Sequence, residues 1–188
     1  PRLLQALGFR SRDALLKLLR ERFRRLGAVQ PDAHQQPRPL RPLQVDAVIA
    51  LGKLGDSRAM ETLASLQRSA PRESQPTIAA AICLLGINCD SHISYLTETL
   101  RFADKNPGYQ ELLRNTVTAL VALANSGDQR ALITLFEVGL PSIDPPRAPM
   151  ALGAGTIAIR STPFMLSFLE TYVNRDGAID LIAEGFDM

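Results

Sequence analysis

The sequence predicts an all-α fold, an α-solenoid (α/α superhelix) built from stacked antiparallel helix pairs. Three observations predict it. The stretch from Val45 to Met60 recurs three times in weakened form, and placing Asp56, Asp90, Asp128 and Thr162 in register gives spacings of 34, 38 and 34 residues, the span of one helix pair per repeat. Apolar residues keep the same register: three after the anchor stand Ala59, Ile93, Ala131 and Met165, seven after stand Leu63, Thr97, Leu135 and Leu169, and ten after stand Leu66, Leu100, Val138 and Tyr172. Offsets of three, seven and ten mark one face of an α-helix. Upstream, the fifth residue before the anchor is Leu51, Leu85, Leu123 or Ile157, and the ninth is Ala47, Ala81, Ala119 or Gly153. An unbroken run of small residues there implies that helix backbones approach closely. Thr97 is the clear lapse on the apolar stripe.

Taken in order, residues 1–27 read as the remnant of an N-terminal repeat, with Ser11 placed to cap a basic amphipathic helix that carries Leu15, Leu19, Phe23 and Leu26 on one face. Residues 28–43 form a stiff connector, because Pro31, Pro37, Pro39 and Pro42 do not allow an ordinary helix to run through them. Residues 44–173 hold the repeats, at about 44–70, 75–103, 109–140 and 147–173, and residues 174–188 read as the start of a further helix. A pattern that opens and closes in mid-repeat, without polar capping repeats, predicts a piece of a longer protein.

Each anchor sits between two helices. An oxygen there accepts from the unpaired N–H groups that open the second helix, and a carboxylate also faces the positive end of its dipole. Asp56, Asp90, Asp128 and Thr162 are therefore expected as structural caps, Thr162 being followed by Pro163, a residue suited to the first helical position. Gly55 and Gly127 supply the left-handed conformation that commonly ends the first helix. Three aspartates on successive repeats do not converge on one cleft, so capping outweighs acid catalysis or metal ligation.

The segment Ala50-Leu51-Gly52-Lys53-Leu54-Gly55-Asp56-Ser57-Arg58-Ala59, with its shorter echo Ala124-Asn125-Ser126-Gly127-Asp128-Gln129-Arg130-Ala131, resembles the HEAT-repeat family, in particular the bacterial HEAT-like repeats of the phycobilisome-lyase type. The resemblance covers about residues 43–173. It implies the fold, and almost nothing about chemistry, because such repeats serve scaffolds, enzyme regulators and a few lyases alike. Tetratricopeptide arrays have a similar period, but this chain has no Trp for their packing positions. The resemblance further implies that the second helix of each pair lines a concave side. Outward positions would include Arg58, Glu61 and Thr62, then His92 and Tyr95, then Arg130 and Thr134, then Phe164 and Phe168. Arg58, Glu61, Tyr95, Arg130 and Phe168 are the expected partner-binding residues, Arg and aromatic side chains being common anchors of protein contacts. For Tyr95 and Phe168 the alternative is packing between neighbouring repeats.

The net charge of +2 conceals an uneven distribution. Residues 1–42 hold ten Lys or Arg against three Asp or Glu, and the rest hold eleven against sixteen. The basic patch centres on Arg12, Lys17, Arg20 and Arg24. Three readings fit it: a solvated outer face, a surface for anionic lipid or nucleic acid, or a dock for the acidic remainder of the protein.

Catalytic and cofactor chemistry finds no constellation. Cys89-x-x-His92 lacks the two close ligand pairs of a structural zinc site, His34 stands alone in the connector, and Cys83 reads as a buried structural thiol. Two cysteines make no disulfide framework, so a reducing cytoplasm is the default expectation. Phosphate-binding glycine loops and a G-x-S-x-G elbow are absent from the sequence, and Gly153-Ala154-Gly155 fits close helix packing. No apolar run reaches the roughly 20 residues that span a bilayer. The expected function is thus a non-catalytic protein-interaction or scaffolding module that binds a protein partner, without metal or cofactor. A bilin lyase-like protein and a nucleic-acid-binding helical repeat are the alternatives, the second opposed by the net acidity of the main repeats.

Overall fold

The structure, a computed structural model, describes Lys17, Glu21, Leu40 and residues 42–188. The described residues are all-helical, with nine α-helices: α1 (Pro42–Lys53), α2 (Ala59–Ser69), α3 (Gln75–Leu84), α4 (Cys89–Lys105), α5 (Gln110–Ala124), α6 (Gln129–Gly139), α7 (Arg147–Arg160), α8 (Thr162–Thr171) and α9 (Arg175–Phe186). Short 3-10 turns at Arg72–Ser74 and Pro107–Tyr109 precede α3 and α5. The remnant repeat over 1–27, the connector over 28–43 and the basic patch at Arg12, Arg20 and Arg24 lie outside the described residues, save that Lys17 and Glu21 are helical and exposed and that Pro42 already begins α1. The chain divides into two compact units, Pro1–Ile87 and Asn88–Met188.

In the first unit α3 packs against both α1 and α2. Its sequence explains its central position. Gln75–Leu84 is apolar nearly all round, with Ile78, Ala81 and Ile82 buried together with Val48, Leu51, Leu63 and Leu66 from the other two helices. A helix without a polar face has to be covered on several sides. Gly52 lets α1 approach: a Cβ at this position would stand 2.5 Å from the backbone oxygen of Ala81.

In the second unit each helix from α4 to α8 packs against the next, α4 also reaches α6 and α5 also reaches α7, and α9 packs most extensively on α7. The amphipathic α4 buries Ile93, Leu96, Leu100 and Ala103, the three-and-four spacing of one helix face. All twelve residues of the downstream stripe are buried apart from the partly buried Thr97 and Tyr172. Thr97 is accounted for by its hydroxyl, which donates to Ile93 O at 2.9 Å and lies 2.8 Å from Thr134 Oγ1. With its own proton committed to Ile93, Thr97 accepts from Thr134, so both hydroxyls are satisfied where a lone buried one would be costly.

Arg147, the first residue of α7, ties three helices together. Its Nη1 donates to the carbonyls of Gly139, Leu140 and Ser142 at 3.0, 2.9 and 3.3 Å, and its Nε and Nη2 each donate to Glu184 at 2.7 Å. The carbonyls at the end of α6 would otherwise be without intrahelical donors. The two bonds from Arg147, with its charge, hold the Glu184 carboxyl below its ordinary value against the opposing effect of burial. A lowered folded-state pKa means that the stabilisation is complete above the unfolded value and is lost as pH falls through the folded one. The stability difference between the wild type and Glu184→Gln is therefore expected to be constant near neutrality and to shrink as pH falls below about 4. Glu184 is part-exposed, which limits the ion-pair contribution to about 1 kcal/mol. Urea midpoints at a series of pH values check this; a difference that grew on acidification would reverse the assignment.

Neither cysteine is a free thiol: Cys83 and Cys89 are disulfide-bonded. The expectation of a buried thiol at Cys83 is corrected accordingly. The turn between the two residues holds Gly86 at φ 80° and Asn88 at φ 47°, a sharp reversal that a spacing of six in the sequence does not disclose. The cysteine count consequently gives no argument for a reducing compartment.

Candidate functional site

The four anchors turn out to do different things. Asp128 is the N-cap of α6 and its side chain accepts from Arg130 N at 3.0 Å. Asp56 stands just ahead of α2 and accepts from Arg58 N at the same distance, 3.0 Å. Asp90, by contrast, lies inside α4, whose N-cap is the left-handed Asn88, and its side chain is 94% exposed. Thr162 begins α8, and its hydroxyl donates back to Ala158 O at 2.6 Å. Asp56 and Asp90 are 34 residues apart while the helix starts Ala59 and Cys89 are only 30 apart, which leaves Asp90 past the helix start, and in Thr162 the hydroxyl finds the last turn of α7 before it can cap α8.

Asp56 and Asp128 share a second feature that reading the anchors one by one misses. Each holds the arginine two residues on. Asp56 Oδ1 and Oδ2 accept from Arg58 Nε at 3.0 and 3.1 Å, and Oδ2 also accepts from Nη2 at 2.6 Å. Asp128 Oδ1 accepts from Arg130 Nε at 3.1 Å, and Oδ2 accepts from Nη2 at 2.8 Å. A fork-to-fork pairing of this kind fixes a guanidinium that would otherwise sweep many rotamers. The signal was present in the chain as the repeated Asp-x-Arg spacing of Asp56-Ser57-Arg58 and Asp128-Gln129-Arg130.

Arg130 also donates through Nη1 to Asp90 and lies 3.5 Å from Cys89 Sγ through Nη2. The hydrogen bonds that it donates to Asp128 and then to Asp90 raise its pKa further above an already high value, so it is charged at any physiological pH. Burial pushes the Asp128 carboxyl up, but its bonds and charge interaction with Arg130 outweigh this and leave it below its ordinary value. Two of the three matching aspartates thus meet on one arginine. Cys89 offers no thiolate to a metal, being disulfide-bonded, and partial burial lowers the pKa of His92, leaving it neutral near pH 7.

The expected partner-binding residues divide by exposure. Arg58, Glu61 and Arg130 are exposed, and Tyr95 is partly buried. Phe168 is only 4% exposed and packs in a triangle of rings with Phe136 and Tyr172, its centroid 5.7 and 4.7 Å from theirs. Of the two positions open to Phe168, outward and packed, it takes the packed one, and the outward position expected for Thr134 is corrected to a buried one. Both face a neighbouring helix, which is where large and hydroxyl-bearing side chains find partners.

On the second unit Arg130 and Thr134 belong to a row of side-chain contacts between α4 and α6. Asp90 pairs with Arg130, Thr97 with Thr134, Arg101 with Glu137 at 3.3 Å, and Asp104 accepts from Ser142 just beyond α6. The α4 members follow one helix face, at intervals of seven, four and three residues. No protein-family model matches the chain, and no curated protein or solved structure matches it either.

Proposed function

We propose that the chain is an α-solenoid of HEAT-like helix pairs acting as a non-catalytic protein-interaction or scaffolding module, with a protein as its partner. The observation that carries this reading is the register of the contacts between helices. Asp90–Arg130, Thr97–Thr134, Arg101–Glu137, Asp104–Ser142, Asn125–Ser161 and Arg147–Glu184 join residues 40, 37, 36, 38, 36 and 37 apart. Those separations lie within a few residues of the 34 to 38 read from the sequence, as stacking of one helix pair on the next requires. Within the second unit α4 meets α6, while α5 meets α7 and α7 meets α9, which is how two rows of helices would stack.

The module would act by geometry. Arg58 and Arg130, each held by a carboxylate in its own turn, present guanidinium faces whose ordering is already accounted for in the free protein, which lowers the entropy lost on binding. Each guanidinium, taken within its own unit, suits a partner group that offers a carboxylate or an aromatic face.

The test is affinity capture with the purified chain, with cross-linking to locate the contact. Arg58→Ala and Arg130→Ala are each expected to weaken the captured complex about tenfold or more, while circular dichroism stays unchanged. A partner retained equally by both variants, or cross-linked elsewhere, would remove this surface from the proposal. Turnover of a small molecule by the purified chain would remove the non-catalytic reading.

A further inference from the structure

We propose that the Cys83–Cys89 disulfide is a reversible exchange site, opened by an external dithiol that attacks the sulfur of Cys89. The turn that carries the bridge does not need it. The end of α3 is closed by its own backbone: Gly86 N donates to Cys83 O at 2.8 Å and Ile87 N to Ile82 O at 3.4 Å, with Gly86 left-handed at φ 80°, the paired bonds of a Schellman cap. At the start of α4 the carbonyl of Asn88 accepts from His92 N at 3.2 Å. A bridge between residues only six apart also restricts the unfolded chain less than one that joins distant segments. Opening it therefore leaves both helix ends with the bonds that define them.

Access selects the sulfur. Cys83 is buried, 6% exposed, whereas Cys89 is partly exposed, so an incoming thiolate reaches one sulfur of the pair and the hidden one is left to resolve the exchange. The surroundings of Cys89 then receive what is released. Arg130 Nη2 lies 3.5 Å from Cys89 Sγ, and Asp128 Oδ2 lies 3.7 Å from it. Either form of the freed sulfur has a partner in place: a thiolate accepts from the guanidinium, and a thiol donates to the carboxylate. The exchange takes two displacements. The first thiolate of the dithiol bonds to Cys89 Sγ as the Cys83–Cys89 bond breaks, and the electron pair leaves on Cys83 Sγ, which takes up a proton. The second thiolate attacks its own sulfur in the mixed disulfide and releases Cys89 Sγ. Two electrons pass to the protein, the dithiol becomes a cyclic disulfide, and its two protons pass to the released sulfurs or to solvent. A disulfide oxidant closes the bridge by the reverse steps.

The exchange site does not depend on the partner surface proposed above, and it is tested on the full chain without denaturant. Oxidised wild type is equilibrated with mixtures of reduced and oxidised dithiothreitol in graded ratio, and thiols are counted by alkylation and mass spectrometry. Two thiols are expected to appear and disappear reversibly while the far-UV spectrum stays unchanged. Glutathione, a monothiol, should trap the mixed disulfide, and peptide mapping after an acid quench should find it on Cys89. In Cys83→Ser, glutathione disulfide should label Cys89 about tenfold or more faster than it labels Cys83 in Cys89→Ser. A bridge that opens only in denaturant, a helical signal lost together with the bridge, or glutathione trapped on Cys83 would each overturn the proposal.

Discussion

Replacing Phe136 by alanine is expected to lower the stability of the second unit by about 3–5 kcal/mol. Phe136 is among the largest fully buried side chains of the chain, and its ring lies 5.7 Å from that of Phe168 at an interplanar angle of 11° and 5.6 Å from Tyr172 at 37°. The loss has two parts. Transfer of the ring to water supplies the first, and the void left between α6 and α8 supplies the second, because neighbouring helices relax only partly into it. The aromatic trio adds a pairwise term of about 0.5–1.5 kcal/mol, which a double-mutant cycle with Phe168→Ala isolates. Urea unfolding followed by far-UV circular dichroism measures all three variants. A cost below about 1 kcal/mol for Phe136→Ala would mean that α8 is not packed on α6 as the ring geometry requires.

That trio illustrates what the sequence disclosed and what it did not. Periodicity made the core positions legible, since burial follows from which face a residue occupies and the face follows from spacing alone. Leu63, Leu100, Leu135 and Leu169 were all readable in this way, and all four are buried, the first three completely. Periodicity does not say which neighbour covers a face. Phe168 falls at a position from which either solvent or the next helix could be reached, and only the presence of Phe136 one repeat earlier, offering a ring to stack on, decides for packing.

Polar contacts were less legible for the same reason. Arg147 was silent in the sequence because its partners come from three places: the end of α6, the turn that follows it, and Glu184 in α9. Thr97 looked like a defect until Thr134, 37 residues on, supplied the second hydroxyl. The anchors were half legible. A side-chain oxygen next to a helix start caps whenever the local turn brings it to a free N–H, as at Asp128, but a helix that starts earlier relative to the anchor leaves Asp90 inside it and turns a cap into an ion-pair partner.

The close approach of α7 and α9 leads to the second large effect. Gly185 lies on α9 where a Cβ would stand 2.1 Å from the backbone oxygen of Ala151 and 2.7 Å from its carbonyl carbon. Those atoms belong to a helical backbone and have no rotamer to escape into, so any side chain at this position forces the two axes apart. Alanine in place of glycine inside a helix ordinarily stabilises by about 1 kcal/mol. Here the overpacking cost of about 1–3 kcal/mol or more opposes it, and a contact this short places Gly185→Ala toward the upper end, for a net loss of about 2 kcal/mol. Gly185→Val should cost more, because its branches enlarge the separation and disturb the Arg147–Glu184 bonds one residue away. The control is Gly108→Ala, where the added Cβ meets nothing within 4 Å and the change should stay within about 0.5 kcal/mol. Urea midpoints for the three variants decide the matter. If Gly185→Ala proved as neutral as Gly108→Ala, the small-residue contact between α7 and α9 would be looser than its geometry states, and the helix-pair stacking inferred from it would lose its tightest joint.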